Sequence, residues 1–311
     1  MSSAMDFFYF DKNEEQYYEK VFEEFEKKKI DLDVSIALLK KWVESQRHLP
    51  EVPDTNALIY FLTVSKFSVE KAKVRIDMYY TIRGLMPEIF TVHPLSPEMK
   101  FQTEITYCFP LPKLTEKNER IIYMGFNRSH GPDEFSHERF FIQLTHMMEL
   151  LTHKDKNNNM HVIFDCDGVK IGHIPKFSPL VIKKFVVYFQ KVYSYRIASA
   201  HIVNSNPFAE TMMNNVILPL LPSKVQQRVV IDQGTTNILL EFGQSILPTD
   251  IGGKESSRDK INEMLMKCFE EMKLRFDTIQ HMTTDESLRA SELKNDEILG
   301  YYGTFKQIDV D

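Results

Sequence analysis

Residues Val162–Val169 read VIFDCDGV. Three β-branched or aromatic residues run into Asp165, a spacer, Asp167 and Gly168. A short apolar run that ends in a turn signal reads as a strand buried on both faces. Three more stretches have the same character: IIYMGFN at 121–127, AHIVN at 200–204 and RVVID at 228–232. Helical patterns separate them, at roughly 134–153, 178–193 and 208–218. Strand and helix in alternation predict a mostly parallel sheet with right-handed crossovers.

The flanks have a different texture. Residues 14–46 are charged and helix-like, with Tyr18, Phe22 and Phe25 on one face. A second helix runs through Trp42 and stops near Pro50. The stretch from Asp54 to Phe90 supplies two more, capped by Asp54 or Thr55 and by Ser68, with Lys71 and Arg75 facing water. TVHPLSPEMK, with two prolines, marks a boundary near residue 95. After residue 256, SSRDKINEMLMKCFEEMKLRF reads as one amphipathic helix with Met264, Cys268, Met272 and Phe276 in line.

Composition narrows the function classes. The 311 residues can enclose a sizeable core. A formal charge of -6 offers no global attraction for nucleic acid, so no nucleic-acid partner is expected. Three widely spaced cysteines fit a reducing compartment better than a disulfide framework. The first residues lack a basic stretch followed by an apolar one, and no apolar run approaches the roughly 18 residues of a membrane helix. These features lead to the expectation of a soluble, cytoplasmic protein.

Asp165 and Asp167 resemble the nucleophile pair of haloacid-dehalogenase-type phosphatases, in which one acid attacks phosphorus and Mg²⁺ bridges. That chemistry needs a further acidic pair downstream, and no Asp-Asp or Gly-Asp pair follows residue 167. The other reading is a strand end whose acids cap the next turn or stay solvated. His130, His137, His146 and His153 recur at seven or nine residues, too far apart for shared metal ligation, so no metal site is expected. IGGKES lacks phosphate-loop spacing, and there is no G-x-S-x-G elbow, so no catalytic residue is assigned. Two apolar stripes are more informative. One carries Phe185, Tyr188, Phe189 and Val192, with Tyr195 and Ile197 following. The other carries Phe208, Met212, Met213, Val216 and Ile217 on a short helix between Pro207 and Pro219. Methionine suits a surface that repacks, and a helix bounded by prolines can move as a unit.

Six stretches, in order, resemble the CRAL-TRIO family, closest in pattern to its tocopherol- and retinaldehyde-binding members. They are DTNALIYFLTVSKFSVEKAKVRIDMYYTIR, VIFDCDGVKIGH, YSYRIASAHIVNSNP, LPLLPSKVQQR, LPTDIGG and GYYGTFKQIDVD. The resemblance implies an α/β fold in which a helical module at 1–95 precedes a lipid-binding domain at 96–260. That domain is a mostly parallel sheet flanked by helices, with a mobile lid helix; a C-terminal helix and tail occupy 261–311. It implies a non-enzymatic intracellular carrier, monomeric, with no cofactor beyond one hydrophobic lipid held as cargo. A tocopherol, retinoid or carotenoid would fit. Exchange would occur during peripheral contact with membranes, guided by phosphoinositides, with a lipid-sensing module as the alternative.

The implied pocket wall is Phe141, Leu144, Thr145, Met148, Phe164, Phe185, Tyr188, Phe189, Tyr195 and Ile197. The implied lid is Phe208, Met212, Met213, Val216, Ile217, Leu220 and Leu221. Arg196, Lys224 and Arg228 match basic positions for an anionic headgroup. Lys224 and Arg228, four residues apart, would share a helix face. The chain departs from the pattern at Tyr60, Thr63 and Ser65, where arginines are expected, and at Ile251, where a tyrosine is usual.

Overall fold

A computed structural model describes residues 3–10, 14–157 and 159–290. The GYYGTFKQIDVD stretch therefore lies outside the described residues. The chain begins with helices α1 (Ala4–Phe7), α2 (Glu14–Phe25), α3 (Lys29–Ser45), α4 (Thr55–Val64), α5 (Val69–Leu85), α6 (Pro87–Phe90) and α7 (Pro97–Ile105). The sheet region follows as β1 (Thr106–Pro110), β2 (Arg120–Phe126), α8 (His137–Lys154), β3 (Asn159–Asp165), α9 (Pro179–Lys191) and β4 (Arg196–Val203). It continues through α10 (Pro207–Met212), α11 (Ser223–Gln226), β5 (Val229–Ile231) and α12 (Thr236–Phe242). Helices α13 (Arg258–Glu271) and α14 (Lys273–Ile279) close the described part.

The five strands lie in the order β1-β2-β3-β4-β5, parallel except for the antiparallel β1–β2 pair. Strand β1 was not expected from the sequence; TYCFP is short and ends in proline, so it reads as a turn approach. Its residues are all buried, against α7, α8 and α13. On β3, side chains alternate between faces. Phe164 meets Phe126, which in turn meets Phe140 of α8, on the front face. His161 meets Phe242 of α12, and Asp165 meets Arg258 of α13, on the back face.

Asp165 sits at the carboxyl end of β3 and is 1% exposed. Its Oδ1 accepts from the Asp167 amide at 3.0 Å and the Asn204 amide nitrogen at 2.8 Å. Its Oδ2 accepts from the Tyr123 hydroxyl at 2.5 Å and Arg258 Nη1 at 3.2 Å. The turn after β3, strand β2, the residue after β4, and α13 thus share one carboxylate. Burial pushes the Tyr123 phenol well above its ordinary pKa, and the neighbouring carboxylate adds to this, so Tyr123 remains the donor. Asp165 is therefore neither solvated nor aimed at solvent as a nucleophile. Gly168 completes the turn: a Cβ there would lie 2.4 Å from the Phe126 carbonyl oxygen, so no larger residue fits without moving the strand.

A second buried cluster joins the helical unit to the sheet region. Glu149 of α8 accepts from the Tyr79 hydroxyl at 2.7 Å, Arg83 Nη2 at 3.1 Å and Arg275 Nε at 3.1 Å. His153 lies between Glu149 (3.1 Å) and Asp54 (2.6 Å), and Arg275 also pairs with Glu51 at 2.6 Å. Three acids thus meet three cations drawn from α5, α8, α14 and the residues ahead of α4. Burial alone would discharge the acids and the histidine; the pairing keeps them charged. Burial opposes charge on His153, but hydrogen bonds to Asp54 and Glu149 raise its pKa to about 9. Burial likewise opposes charge on Glu149, yet His153, Arg275 and Arg83 hold its carboxyl well below the usual range.

Local signals were legible. Asp54 accepts from the Ala57 amide and Ser68 from the Lys71 amide, as caps do. Two expectations need correction. Arg75 is not solvated: its guanidinium donates to the carbonyls of Gln190 and Lys191 at the end of α9. The helix after residue 256 is not continuous, because Met272 leaves helical geometry (φ -94°, ψ 11°) and divides α13 from α14. Arg275 of α14, just beyond the break, pairs with Glu149 at 3.1 Å. The positions expected to be arginine, Tyr60, Thr63 and Ser65, are buried, where unpaired charge would be costly.

Asp165→Ala leaves Arg258 and Tyr123 without their acceptor and should cost roughly 3–5 kcal/mol of stability, read by denaturant unfolding. A loss below about 1 kcal/mol would remove Asp165 from its central place.

His153 supplies a pH signature. Its folded pKa lies above the ordinary 6.5, so its stabilisation is full below pH 6.5 and lost as pH rises through about 9. Thermal stability should therefore fall between pH 6.5 and 9.5, by on the order of 3 kcal/mol from this group. His153→Gln should flatten that slope; an unchanged slope would refute the assignment.

Candidate functional site

Helix α9 starts at Pro179, whose fixed φ suits a first helical position. It turns Ile182, Phe185 and Tyr188 inward. Phe185 stacks on Phe141 of α8, with ring centroids 4.2 Å apart and planes at 16°. Phe189 adjoins both Phe185 and Tyr188. The Tyr188 ring meets Phe90, and its hydroxyl donates to the Tyr193 hydroxyl at 3.0 Å. The sequence-derived wall residues Phe141, Phe185, Tyr188 and Phe189 therefore come together as one aromatic stack between α8 and α9.

The other wall residues divide. Phe164 and Met148 are buried, while Leu144 packs on the core from a partly exposed position. Thr145 hydrogen-bonds its own helix at Phe141 and lines a void of about 20 Å³ shared with Arg83, Phe90, His146 and Glu149. That is room for one water, not a lipid. Tyr195 leaves the stack and packs on Tyr60 of α4, with centroids 5.1 Å apart. Ile197 lies near the start of β4, its carbonyl accepting from Arg228.

The segment over α9 is not one helix. Asn206 caps α10 through the amides of Phe208 and Ala209. Wide π turns follow over Met213–Ile217, then a 3₁₀ turn over Leu218–Leu220. Proline explains the change: Pro219 has no amide to donate, and its ring would crowd the carbonyl of Asn215 in a regular helix. A π segment often marks a functional position in a helix. Met212 and Met213 are buried. Val216, Ile217 and Leu220 are partly buried, and the π and 3₁₀ turns pack on α9. Leu221 is half-buried where the backbone straightens. Phe208 departs from its expected inward place: it is 49% exposed at the start of α10.

Two exposed apolar residues accompany Phe208: Ile171 at 61% and Leu180 at 54%. The turn at Ile171–Lys176 packs on α10, and Leu180 lies in the first turn of α9. Ile171 follows Lys170, Leu180 stands three residues before Lys183, and Phe208 has no basic neighbour, so no shared sequence signal marks the three.

The basic residues gather around the beginning of β4, in a different manner from that expected. Arg196 is paired with Glu24 and lies over the Phe25 ring. Helix α11 ends at Gln226, so Arg228 does not share a helix face with Lys224. Its guanidinium donates to the Ile197 carbonyl instead. Lys224 is exposed. Ile251, the departure in the LPTDIGG stretch, is buried as packing.

Among the described residues, no helix is long and apolar enough to cross a membrane, and no three His, Cys, Asp or Glu side chains meet as metal donors. Residues 105–253 match the family model described as CRAL/TRIO domain. Residues 27–99 match the one described as Pinta-like, UBA domain. A solved structure described as "Crystal structure of Sfh5" is similar at 13% identity and a TM-score of 0.49, covering 79% of this chain and 97% of that chain. A sheet closed by the Asp165 turn and aromatic rings under a broken helix occupy the segment that the CRAL/TRIO model matches, and residues 105–253 of this chain form a CRAL/TRIO domain.

Proposed function

We propose that this chain carries one hydrophobic lipid between α8, α9 and the segment at 207–221, and exchanges it at a membrane. The observation that carries this reading is the aromatic stack of Phe141, Phe185, Tyr188 and Phe189 beneath an interrupted helix. Carriage at this place makes and breaks no covalent bond. The residues at 1–95 serve as a platform, those at 96–260 as the binding domain, and those at 261–311 as the closing helix and tail.

The energetics favour a cage of this kind. Each buried methylene contributes about 0.8 kcal/mol, so a long chain gains on the order of 10 kcal/mol before ordering costs. Entry requires the stack at Phe141 and Phe185 to part, which only a comparable apolar guest offsets. The π and 3₁₀ turns hold fewer regular helical bonds than an α-helix, so this segment is the one that opens. Ile171, Leu180 and Phe208 would seat on the bilayer as it does. A tocopherol, retinoid or carotenoid suits an aromatic wall. The protein would act as a monomer in the cytoplasm, peripheral on membranes during exchange.

Organic extraction of purified protein, read by mass spectrometry, should yield one hydrophobic lipid in stoichiometric amount. Transfer of that lipid between vesicles should be accelerated by the protein. Stoichiometric lipid without transfer would make the chain a lipid sensor. Absence of any lipid, with no uptake from vesicles, would overturn the reading.

Lys224 and Arg228 are the proposed contacts for an anionic headgroup, with Arg196 beside them once Glu24 yields. Each basic residue at an anionic surface contributes roughly 1 kcal/mol, and salt screens it. Replacing Lys224 and Arg228 by alanine should weaken binding to phosphoinositide vesicles about tenfold or more at low salt, with lipid content unchanged. Equal binding by wild type and double variant would leave delivery to the apolar residues alone.

A further inference from the structure

Helix α3 is apolar on two sides. Leu32, Leu39 and Val43 are buried on one. Ile30, Val34 and Leu38 recur every four residues on the other, and each is more than half exposed. Val74 of the neighbouring α5 is more exposed still. Trp42 joins the two helices: it is partly buried, with the Lys73 ammonium of α5 5.9 Å from its ring centroid. Single exposed apolar residues need no explanation, but a row of them along one helix face does. Lysines stand at both ends of the row, exposed Lys27, Lys28 and Lys29 at its start and exposed Lys41 toward α5. None of these four has an acidic side chain as partner among the described residues.

The described chain approaches this row from a definite direction. After α14, residues 283–289 run along α5. The Thr283 hydroxyl lies so close to Gly84 that a Cβ there would not fit. The Asp285 amide donates to the His48 carbonyl at 2.9 Å, just past the end of α3. Arg289 then donates through Nη1 to Asp77 Oδ2 at 2.8 Å and through Nη2 to Thr81 Oγ1 at 2.8 Å. Between Thr283 and Arg289 the chain has thus moved from the C-terminal end of α5 back toward its start. Gly84, Thr81, Asp77 and Val74 are spaced three or four residues apart, so they share one face, and Val74 is the next step along it. Trp42 beside Lys73 and His48 beside Asp77 show that α3 and α5 run in the same sense. The path beyond Val74 therefore leads to Leu38, Val34 and Ile30 in that order. Arg289 itself has extended backbone, with φ -69° and ψ 130°.

Residues 291–311, SELKNDEILGYYGTFKQIDVD, lie outside the described residues, but their sequence complements the row. Asp296 and Glu297 come first, then Ile298, Leu299, Tyr301, Tyr302 and Phe305, then Asp309 and Asp311. An acidic–apolar–acidic segment thus follows a strap aimed at a basic–apolar–basic face. Length is sufficient: a chain of this size reaches up to roughly 70 Å when extended, and the row from Leu38 to Ile30 spans about 12 Å of helix. A second copy of this chain suits the face less well. An antiparallel pair of α3 helices centred on Val34 would set Lys27 of each against Lys41 of the other, and like charges repel.

We propose that residues 291–311 of the same chain dock along the outer face of α3. Residues 298–305 cover Leu38, Val34 and Ile30, with Asp296 and Glu297 toward Lys41 and Asp309 and Asp311 toward Lys27–Lys29. The docking extends the Arg289 strap and ties the end of this sequence to its first helices. It is independent of lipid carriage, since the face lies on the helical unit and not between α8 and α9.

The test is hydrogen exchange on the full chain, read by mass spectrometry, with a synthetic peptide of residues 291–311 as reference. Amides at 297–306 should exchange roughly tenfold or more slowly in the chain than in the peptide. Val34→Asp combined with Leu38→Asp changes two exposed side chains. It should return those amides to within about twofold of the peptide, while β3 and α8 keep their wild-type protection. Wild-type amides that exchange as in the peptide would overturn the proposal. So would protection that survives in the double variant, because the segment would then lie elsewhere. Protection that grows with protein concentration would overturn it as well, since the segment would then belong to a second copy.

Discussion

One buried carboxylate sets the geometry on which the rest of the chain depends. A parallel strand ends abruptly, and its last residue must satisfy polar groups that arrive from several directions. Asp165 does so with donors from its own turn, from Tyr123 on β2, from Asn204 beyond β4 and from Arg258 on α13. Two of these arrivals matter for the front of the molecule. Asn204 is where β4 releases the chain into the segment over α9, and Gly168 is where β3 releases it toward α9 itself. The acid that looked like a nucleophile thus aims both walls of the proposed lipid site while facing away from it.

The sheet separates two chemistries. Its front face is closed by rings: Phe126, Phe140 and Phe164 under α8, then the stack of Phe141 and Phe185. Its back face carries Tyr123, Asp165, His161, Ser199 and His201, and depends on α12 and α13 to pair or cover those groups. Period-two alternation makes this separation automatic, since adjacent residues on β3 such as Phe164 and Asp165 must point opposite ways. An apolar guest in front therefore need not disturb the polar chain behind.

Helix α8 links the two halves. Phe141 and Met148 contribute to its apolar side, while Glu149 and His153 anchor it to α5, α14 and the residue that caps α4. Charges buried in this way are held by geometry, because removing one partner strands the others. The helical unit is thus tied by buried ion pairs to one wall of the proposed site. The segment at 207–221 has no comparable charged anchor among its described contacts and rests on methionine and aliphatic packing.

Much of this was legible in the sequence by itself. Strand positions, their parallel alternation with helices, the caps at Asp54 and Ser68, and the family pattern follow from signals that act within a few residues. So did the aromatic stack, because Phe185, Tyr188 and Phe189 share a helix face by spacing alone. Tertiary structure alone decided the partners. Asp165 could not announce Arg258, which lies far along the chain, nor Arg75 its carbonyls on α9. The break at Met272 has no proline or glycine to signal it. Proline at 219 was visible, but whether it would end, bend or widen a helix depended on the α9 surface beneath. The back-face row of His161, Ser199 and His201 was hidden because its members come from separate strands, and register, not sequence distance, makes them neighbours.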